Sequence, residues 1–95
     1  MATIHIQLGG IAVPMITKVN QGEEVKFEKD FDGPVSIHFQ KHDGCFSKLP
    51  QNDFGLPNMN PYSIGDVTNA GDNDQPFIVS PPGGQESPAK IIRIS

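Results

Sequence analysis

Side chains alternate between apolar and polar along much of this chain, and this period of two constrains its fold more than any other feature. Within residues 3–8 every second side chain is Ile or Leu, and within residues 35–40 every second side chain is Val, Ile or Phe. Successive side chains of a β-strand point to opposite faces, so the pattern is typical of strands that bury one face. No segment has a sustained helical period, and no internal repeat is present. The alternation therefore predicts an all-β chain.

Extended runs of this kind recur along the chain. They cover residues 3–8, 13–19, 24–28, 35–40, 62–68, 76–80 and 89–94. Gly, Asn, Asp and Pro separate them, with a turn signal about every 8–12 residues, as in sandwiches and small barrels. Pro14 favours an edge position for the second run, because proline cannot donate a hydrogen bond to a neighbouring strand. We expect a Greek-key β-sandwich of about seven short strands, with at most a short helical segment near residues 43–49.

Length and composition support a single domain over residues 1–95. With 10 Gly and 9 Pro in 95 residues, the chain is rich in turns. Their share stays below the roughly 25–30% that marks low-complexity sequence. The chain is too short for a two-domain enzyme or a full dinucleotide-binding fold. Between residues 42 and 62 the alternation is lost, so we expect a long irregular loop there.

Charge, cysteine content and the first residues limit the partners and the location. The net charge is −4 and the 7 Lys and Arg residues are scattered, which argues against nucleic-acid binding because that needs clustered cations. The longest apolar run, residues 11–16, is too short to cross a membrane. The single cysteine, Cys45, excludes an internal disulfide. The N-terminal residues lack the features of a signal peptide, so we expect a cytoplasmic protein, with a mature secreted chain as the alternative.

Three segments resemble the cupredoxins. Residues 19–27, VNQGEEVKF, resemble the strand–turn–strand pattern v-x-x-G-d-x-V-x-F of that family, and residues 33–39, GPVSIHF, are similar to its next strand, which ends near a histidine. Residues 77–94 are similar to its last hairpin. The resemblance implies a cupredoxin-like sandwich, and an immunoglobulin-like sandwich is the alternative because both share this pattern of strands and turns.

The chain departs from the cupredoxins in its metal ligands. A blue-copper centre takes one His from a middle strand and then Cys, His and an axial Met grouped late in the chain. Here no His follows Cys45, Met59 is the last Met, and the final hairpin has neither Cys nor His. The resemblance therefore implies the fold without a blue-copper centre.

One group of residues has the chemistry of a transition-metal site. His38, His42 and Cys45 follow one another closely where a strand leads into the loop, and imidazole and thiolate suit Cu or Zn. His5 is a further candidate ligand. The alternative is structural, because His38 lies on the polar face of its strand and Cys45 can pack as a small apolar side chain.

A calcium site and an enzyme active site have less support. Asp66, Asp72, Asn73 and Asp74 offer oxygen ligands, but the spacing of an EF-hand is absent and Asn–Asp runs also form turns. No nucleophile elbow, zinc-protease helix or phosphate-binding loop motif occurs. We therefore expect a protein that is not an enzyme and has no cofactor, with Cu or Zn as the alternative cofactor and Ca²⁺ as a weaker one.

The loop at residues 42–62 is the main candidate for a binding surface. It carries six large apolar side chains, namely Phe46, Leu49, Phe54, Leu56, Met59 and Tyr62. These side chains either cap an open end of the sandwich or contact a protein partner or a second copy of the chain. We interpret the chain as a non-enzymatic binding or assembly module using this loop and the polar face with His5 and His38. The alternatives are a metal-binding protein using His38, His42 and Cys45, and a small enzyme of unknown class.

Overall fold

The computed structural model describes residues 1–49, 51–56 and 59–95, which form nine β-strands and no helix. The strands are β1 (Ala2–Gln7), β2 (Ile11–Val13), β3 (Ile16–Val19), β4 (Glu24–Lys29), β5 (Ser36–Phe39), β6 (Asp53–Gly55), β7 (Tyr62–Asp66), β8 (Asp74–Ser80) and β9 (Ser87–Arg93). The all-β prediction is confirmed. Within the described residues no helix has the length and apolarity needed to cross a membrane.

The strands form two sheets that pack as a sandwich. The first sheet has the order β2-β1-β4-β7 and the second the order β3-β9-β8-β5-β6. Strand β1 runs parallel to β4 and β3 runs parallel to β9, whereas the remaining pairs are antiparallel. The chain therefore crosses between the sheets several times, as the prediction of a sandwich requires.

Two short strands differ from the sequence-based expectation. The run at residues 13–19 divides around Pro14 into β2, at the edge of the first sheet, and β3, at the edge of the second. Strand β6 lies inside the expected loop and pairs with β5 in the register Ile37↔Phe54. Three residues are too few for an alternation to be recognised. The segment near residues 43–49 forms turns and an isolated bridge, Phe46↔Val67, rather than a helical segment.

Phenylalanine rings form the centre of the core. The ring of Phe27 meets those of Phe39, Phe54 and Phe77 at centroid distances of 6.3, 6.0 and 5.4 Å, all in edge-to-face arrangements. Such pairs add about 0.5–1.5 kcal/mol each beyond the burial of their apolar area. The inward residues of both sheets surround them, so the core depends on the same alternation that defines the strands.

A glycine allows the loop before β6 to approach the first sheet. Gly65 has a φ of +90°, and a Cβ atom at this position would lie 2.6 Å from the backbone nitrogen of Lys48. The Lys48 amide donates a hydrogen bond of 2.9 Å to the carbonyl of Ile64. The bare backbone at Gly65 thus permits segment 47–48 to cover strand β7.

Candidate functional site

The two histidines of the predicted Cu or Zn site bond to separate partners. His38 lies on the outward face of β5, and its Nδ1 donates a hydrogen bond to Oδ1 of Asp53, its cross-strand neighbour on β6. His42 is exposed, and its Nε2 donates a hydrogen bond of 2.9 Å to the carbonyl of Leu49. Each imidazole therefore orders a local contact.

The third member of the predicted site, Cys45, belongs to the core. Its side chain is buried, and Nη1 of Arg93 lies 3.8 Å from Sγ. Burial raises the pKa of the Cys45 thiol, although the nearby charge of Arg93 opposes this shift. His38 points outward while Cys45 points inward, so the geometry does not bring the predicted trio together. Binding of Cu or Zn by His38, His42 and Cys45 stays a prediction to which this arrangement adds no support.

Most of the apolar loop residues complete the core. Phe46, Leu49, Phe54 and Leu56 are buried, and the half-buried ring of Tyr62 stacks on Phe54 at a centroid distance of 5.2 Å. Of the six, only Met59 is clearly exposed, at 50%. The loop therefore acts mainly as a cap on the sandwich, which the sequence left open as one of two roles, and it offers a partner little apolar surface.

The acidic residues considered for calcium have positively charged neighbours. Asp72 forms an ion pair of 3.0 Å with Lys41, and Asp74 lies 3.8 Å from Lys90. The side-chain oxygen of Asn73 accepts a hydrogen bond of 2.9 Å from Nε of Arg93. These contacts already offset the charge that would attract Ca²⁺.

The half-buried side chain of Arg93 organises the loop at residues 68–73. Nη1 of Arg93 donates hydrogen bonds of 2.7 and 2.6 Å to the carbonyls of Thr68 and Ala70, and Nη2 donates one of 2.8 Å to the carbonyl of Gly71. The fork of the guanidinium suits several carbonyls at once. No local sequence signal predicts this contact, because Arg93 and the loop are far apart along the chain.

Asp43 holds the same loop from the other side. Its carboxylate accepts hydrogen bonds of 2.9 Å from the amide of Asp72, 3.2 Å from the side-chain amide of Gln75 and 3.3 Å from the amide of Cys45. Burial acts to raise the pKa of Asp43, but the combined hydrogen bonds outweigh it and the pKa is lowered. Gly71 has a φ of +74° and leaves the space that this carboxylate occupies.

A group of three potential metal ligands lies on the outer face of the first sheet. In the parallel pair of β1 and β4, His5 is the direct neighbour of Glu28, and Asp30 follows β4 immediately. Nδ1 of His5 donates a hydrogen bond of 3.1 Å to Oδ1 of Asp30. One ligand atom from each residue lies within 4.8 Å of the others, and no other such group is found in residues 1–49, 51–56 and 59–95. The sequence indicated His5 alone, because the two carboxylates join it only through the register of the strands.

Five exposed apolar side chains lie within one short segment of the described surface, and we term them the apolar ribbon. It consists of Leu8, Ile11, Val13, Met15 and Ile16, which are 40–77% exposed. The ribbon follows the edge strands β2 and β3. At one end of the ribbon, Met15 and Ile16 line a cleft of about 460 Å³. Asp74, Pro76 and Lys90 also line this cleft.

Comparison with known proteins identifies the fold. No protein-family model and no curated protein sequence matches the chain. Among solved structures it is similar to a purple cupredoxin from Nitrosopumilus maritimus, with a TM-score of 0.62 and 12% sequence identity, over 98% of this chain and 99% of that one. The cupredoxin-like prediction is thereby confirmed for the fold. The chain is a cupredoxin-like β-sandwich.

Proposed function

We propose that this chain is a non-enzymatic assembly module that pairs with a second copy of itself through the apolar ribbon. The observation that carries the proposal is the distribution of exposed apolar side chains. Of the 8 large apolar side chains exposed among the described residues, 5 fall within residues 8–16. Exposed apolar side chains scattered singly are ordinary, but several concentrated in one short segment favour a contact surface.

The chemistry of the ribbon favours contact through side chains. No charged residue occurs between Leu8 and Ile16, although charges commonly protect exposed edge strands from association. Pro14 lacks an amide hydrogen, and β2 spans only Ile11–Val13, so extended pairing of backbones across this edge is limited. Burial of apolar surface, at about 25 cal/mol per Å², therefore supplies the driving force.

Charge complementarity favours a second copy as the partner. Asp74 and Lys90 stand together beside the cleft formed by Met15 and Ile16, with 3.8 Å between their charged atoms. In a two-fold contact the same patch meets itself, so each copy can present its lysine to the aspartate of the other. An apolar centre with such a mixed-charge rim is self-complementary.

The surroundings of Cys45 support a module without a blue-copper centre. The fold family implies copper, which requires a thiolate and imidazoles around one ion. Here the thiol is buried with a raised pKa, and Nη1 of Arg93 lies 3.8 Å from its sulfur, where the fixed positive charge disfavours a second cation. The donor set at Cys45 therefore does not fit copper.

Sedimentation velocity over a series of protein concentrations tests the proposal. We expect the wild-type chain to form a reversible dimer and Ile16→Lys to remain a monomer with unchanged circular dichroism. Met59→Lys is the matched control, because Met59 is as exposed as Ile16 but lies in the loop. A wild-type chain that stays monomeric at the highest concentration overturns the proposal. Dimer loss in Met59→Lys with retention in Ile16→Lys would assign the contact to the loop instead.

A further inference from the structure

We propose that His5, Glu28 and Asp30 form a binding site for a divalent transition-metal ion of the Zn²⁺ class. This site uses none of the residues of the ribbon and none of the sequence-predicted trio around Cys45. The donor atoms already converge to within 4.8 Å of one another. Ligands of a tetrahedral zinc ion, bonded at about 2.0–2.1 Å, lie about 3.3 Å apart. The 3.1 Å between Nδ1 of His5 and Oδ1 of Asp30 is close to that separation.

The charge around the group favours a cation. Two carboxylates converge here, and within the described residues neither forms an ion pair with a lysine or arginine. Lys29, which lies between them in sequence, is buried on the opposite face of β4, where its Nζ donates a hydrogen bond to the carbonyl of Gly33. Lys26, the other lysine on β4, pairs with Glu24. A bound cation would offset the two negative charges that the protein leaves close together.

Glu28 distinguishes this group from an ordinary surface contact. Its half-buried carboxylate has no hydrogen-bond partner among the described residues, whereas Glu24 on the same strand accepts a hydrogen bond of 2.8 Å from Ser63. Carboxylate and imidazole ligands in metal sites need a free lone pair directed at the ion. Glu28 therefore has coordination capacity that no contact within the described chain uses.

The sheet backbone fixes the three positions. His5 and Glu28 are paired in the β1–β4 ladder, and the amide of Asp30 donates a hydrogen bond of 3.0 Å to the carbonyl of Ile6. Ligands held by neighbouring strands lose little conformational freedom on binding an ion. Closure of the site requires side-chain rotation and the tautomer of His5 that carries its proton on Nε2, because only an unprotonated Nδ1 has a lone pair for the ion.

The donor types determine the class of ion. One nitrogen and two oxygens suit Zn²⁺, with water in the fourth position, as in sites that combine imidazole and carboxylate ligands. Ca²⁺ takes six to eight oxygen ligands, and Cu(I) prefers sulfur, so both fit this group less well. The expected complex is one Zn²⁺ per chain.

Isothermal titration calorimetry with ZnCl₂, together with thermal melts, tests the site. We expect one ion per chain and a higher melting temperature, because a ligand of the native state stabilises it. Glu28→Gln should weaken Zn²⁺ binding at least about tenfold without unfolding the protein, since its carboxylate has no structural partner. Glu24→Gln, on the same strand, and His38→Gln, at the other histidine–aspartate pair, are the matched controls and should bind Zn²⁺ as the wild type does.

The outcomes separate this site from the alternatives and from the dimer. Absence of Zn²⁺ binding in the wild type, or equal binding by Glu28→Gln, overturns the inference. Loss of binding in His38→Gln alone would assign the ion to the sequence-predicted trio. The monomeric Ile16→Lys variant should bind Zn²⁺ with wild-type affinity, so failure of the self-association proposal leaves the metal site independently testable.

Discussion

Replacement of Arg93 by Met isolates the contribution of the guanidinium to the stability of the sandwich. Methionine keeps an unbranched apolar stem but removes all the donors. The loop then loses the bonds from Arg93 to the carbonyls of Thr68, Ala70 and Gly71 and to the side chain of Asn73. The contact with Sγ of Cys45 is lost as well.

The structure sets the size of the expected effect. Hydrogen bonds from charged donors contribute about 1.5–3 kcal/mol when their loss leaves a buried partner unsatisfied, and less when water can replace them. The hydrogen bond from Arg93 to the carbonyl of Thr68 is partly buried. The hydrogen bonds from Arg93 to the carbonyls of Ala70 and Gly71 are exposed to solvent. We therefore expect Arg93→Met to lower the free energy of unfolding by about 2–3 kcal/mol. In a domain of this size that lowers the melting temperature by roughly 10–20 °C.

Urea unfolding followed by circular dichroism measures the change directly. Lys48→Met is the matched control, since Lys48 is an exposed cation whose side chain forms no bond among the described contacts. Its replacement should change the free energy of unfolding by less than about 0.5 kcal/mol. An effect of Arg93→Met no larger than that of the control would refute the argument that this arginine organises the loop. Combination with Asp43→Asn should give a non-additive loss, because both side chains hold the same segment.

Two further predictions concern single polar groups. Thr17→Val should raise the free energy of unfolding by about 1 kcal/mol. The buried Oγ1 of Thr17 has no hydrogen-bond partner within the described structure, and valine has the same shape as threonine. A lower free energy of unfolding, measured in urea, would contradict this explanation. Asp43 has a lowered pKa, so its stabilising contribution is present above the ordinary value of 3.8 and is lost as the pH falls through the lower folded-state value. Unfolding measured from about pH 5 to about pH 2 should therefore show a shallower acid loss in Asp43→Asn than in the wild type, and equal slopes would contradict the assignment.

The fold was predictable because its signals are local. Ile4 and Ile6 on β1, and Val25 and Phe27 on β4, are fully buried as their alternation predicts. Turn residues such as Gly22 stand between the strands and reveal where the chain reverses. The strands missed as separate elements, β2 and β6, have three residues each, which is too short for a period of two to be recognised.

The surface groups were less predictable because they depend on register. His5 meets Glu28 only through the parallel pairing of β1 with β4, and a shift of one residue would move Glu28 to the other face. The burial of Phe46 likewise depends on a bridge to Val67, far along the chain. The roles as a non-enzyme and as a partner-binding protein, and the cytoplasmic location, stay predictions.

The contrast between Cys45 and His5 indicates where this fold can accommodate new chemistry. Any ligand set built around Cys45 must disturb packed neighbours and the charge of Arg93, and burial already raises the pKa of its thiol. His5 and Glu28 lie on the outer face of a central strand pair, where a substitution changes the chemistry without altering the core. The backbone ladder still fixes their spacing, so the outer face combines rigid placement with freedom of sequence. A cupredoxin-like sandwich can thus keep its core while its outer face and edge strands stay free for the metal binding and self-association proposed above.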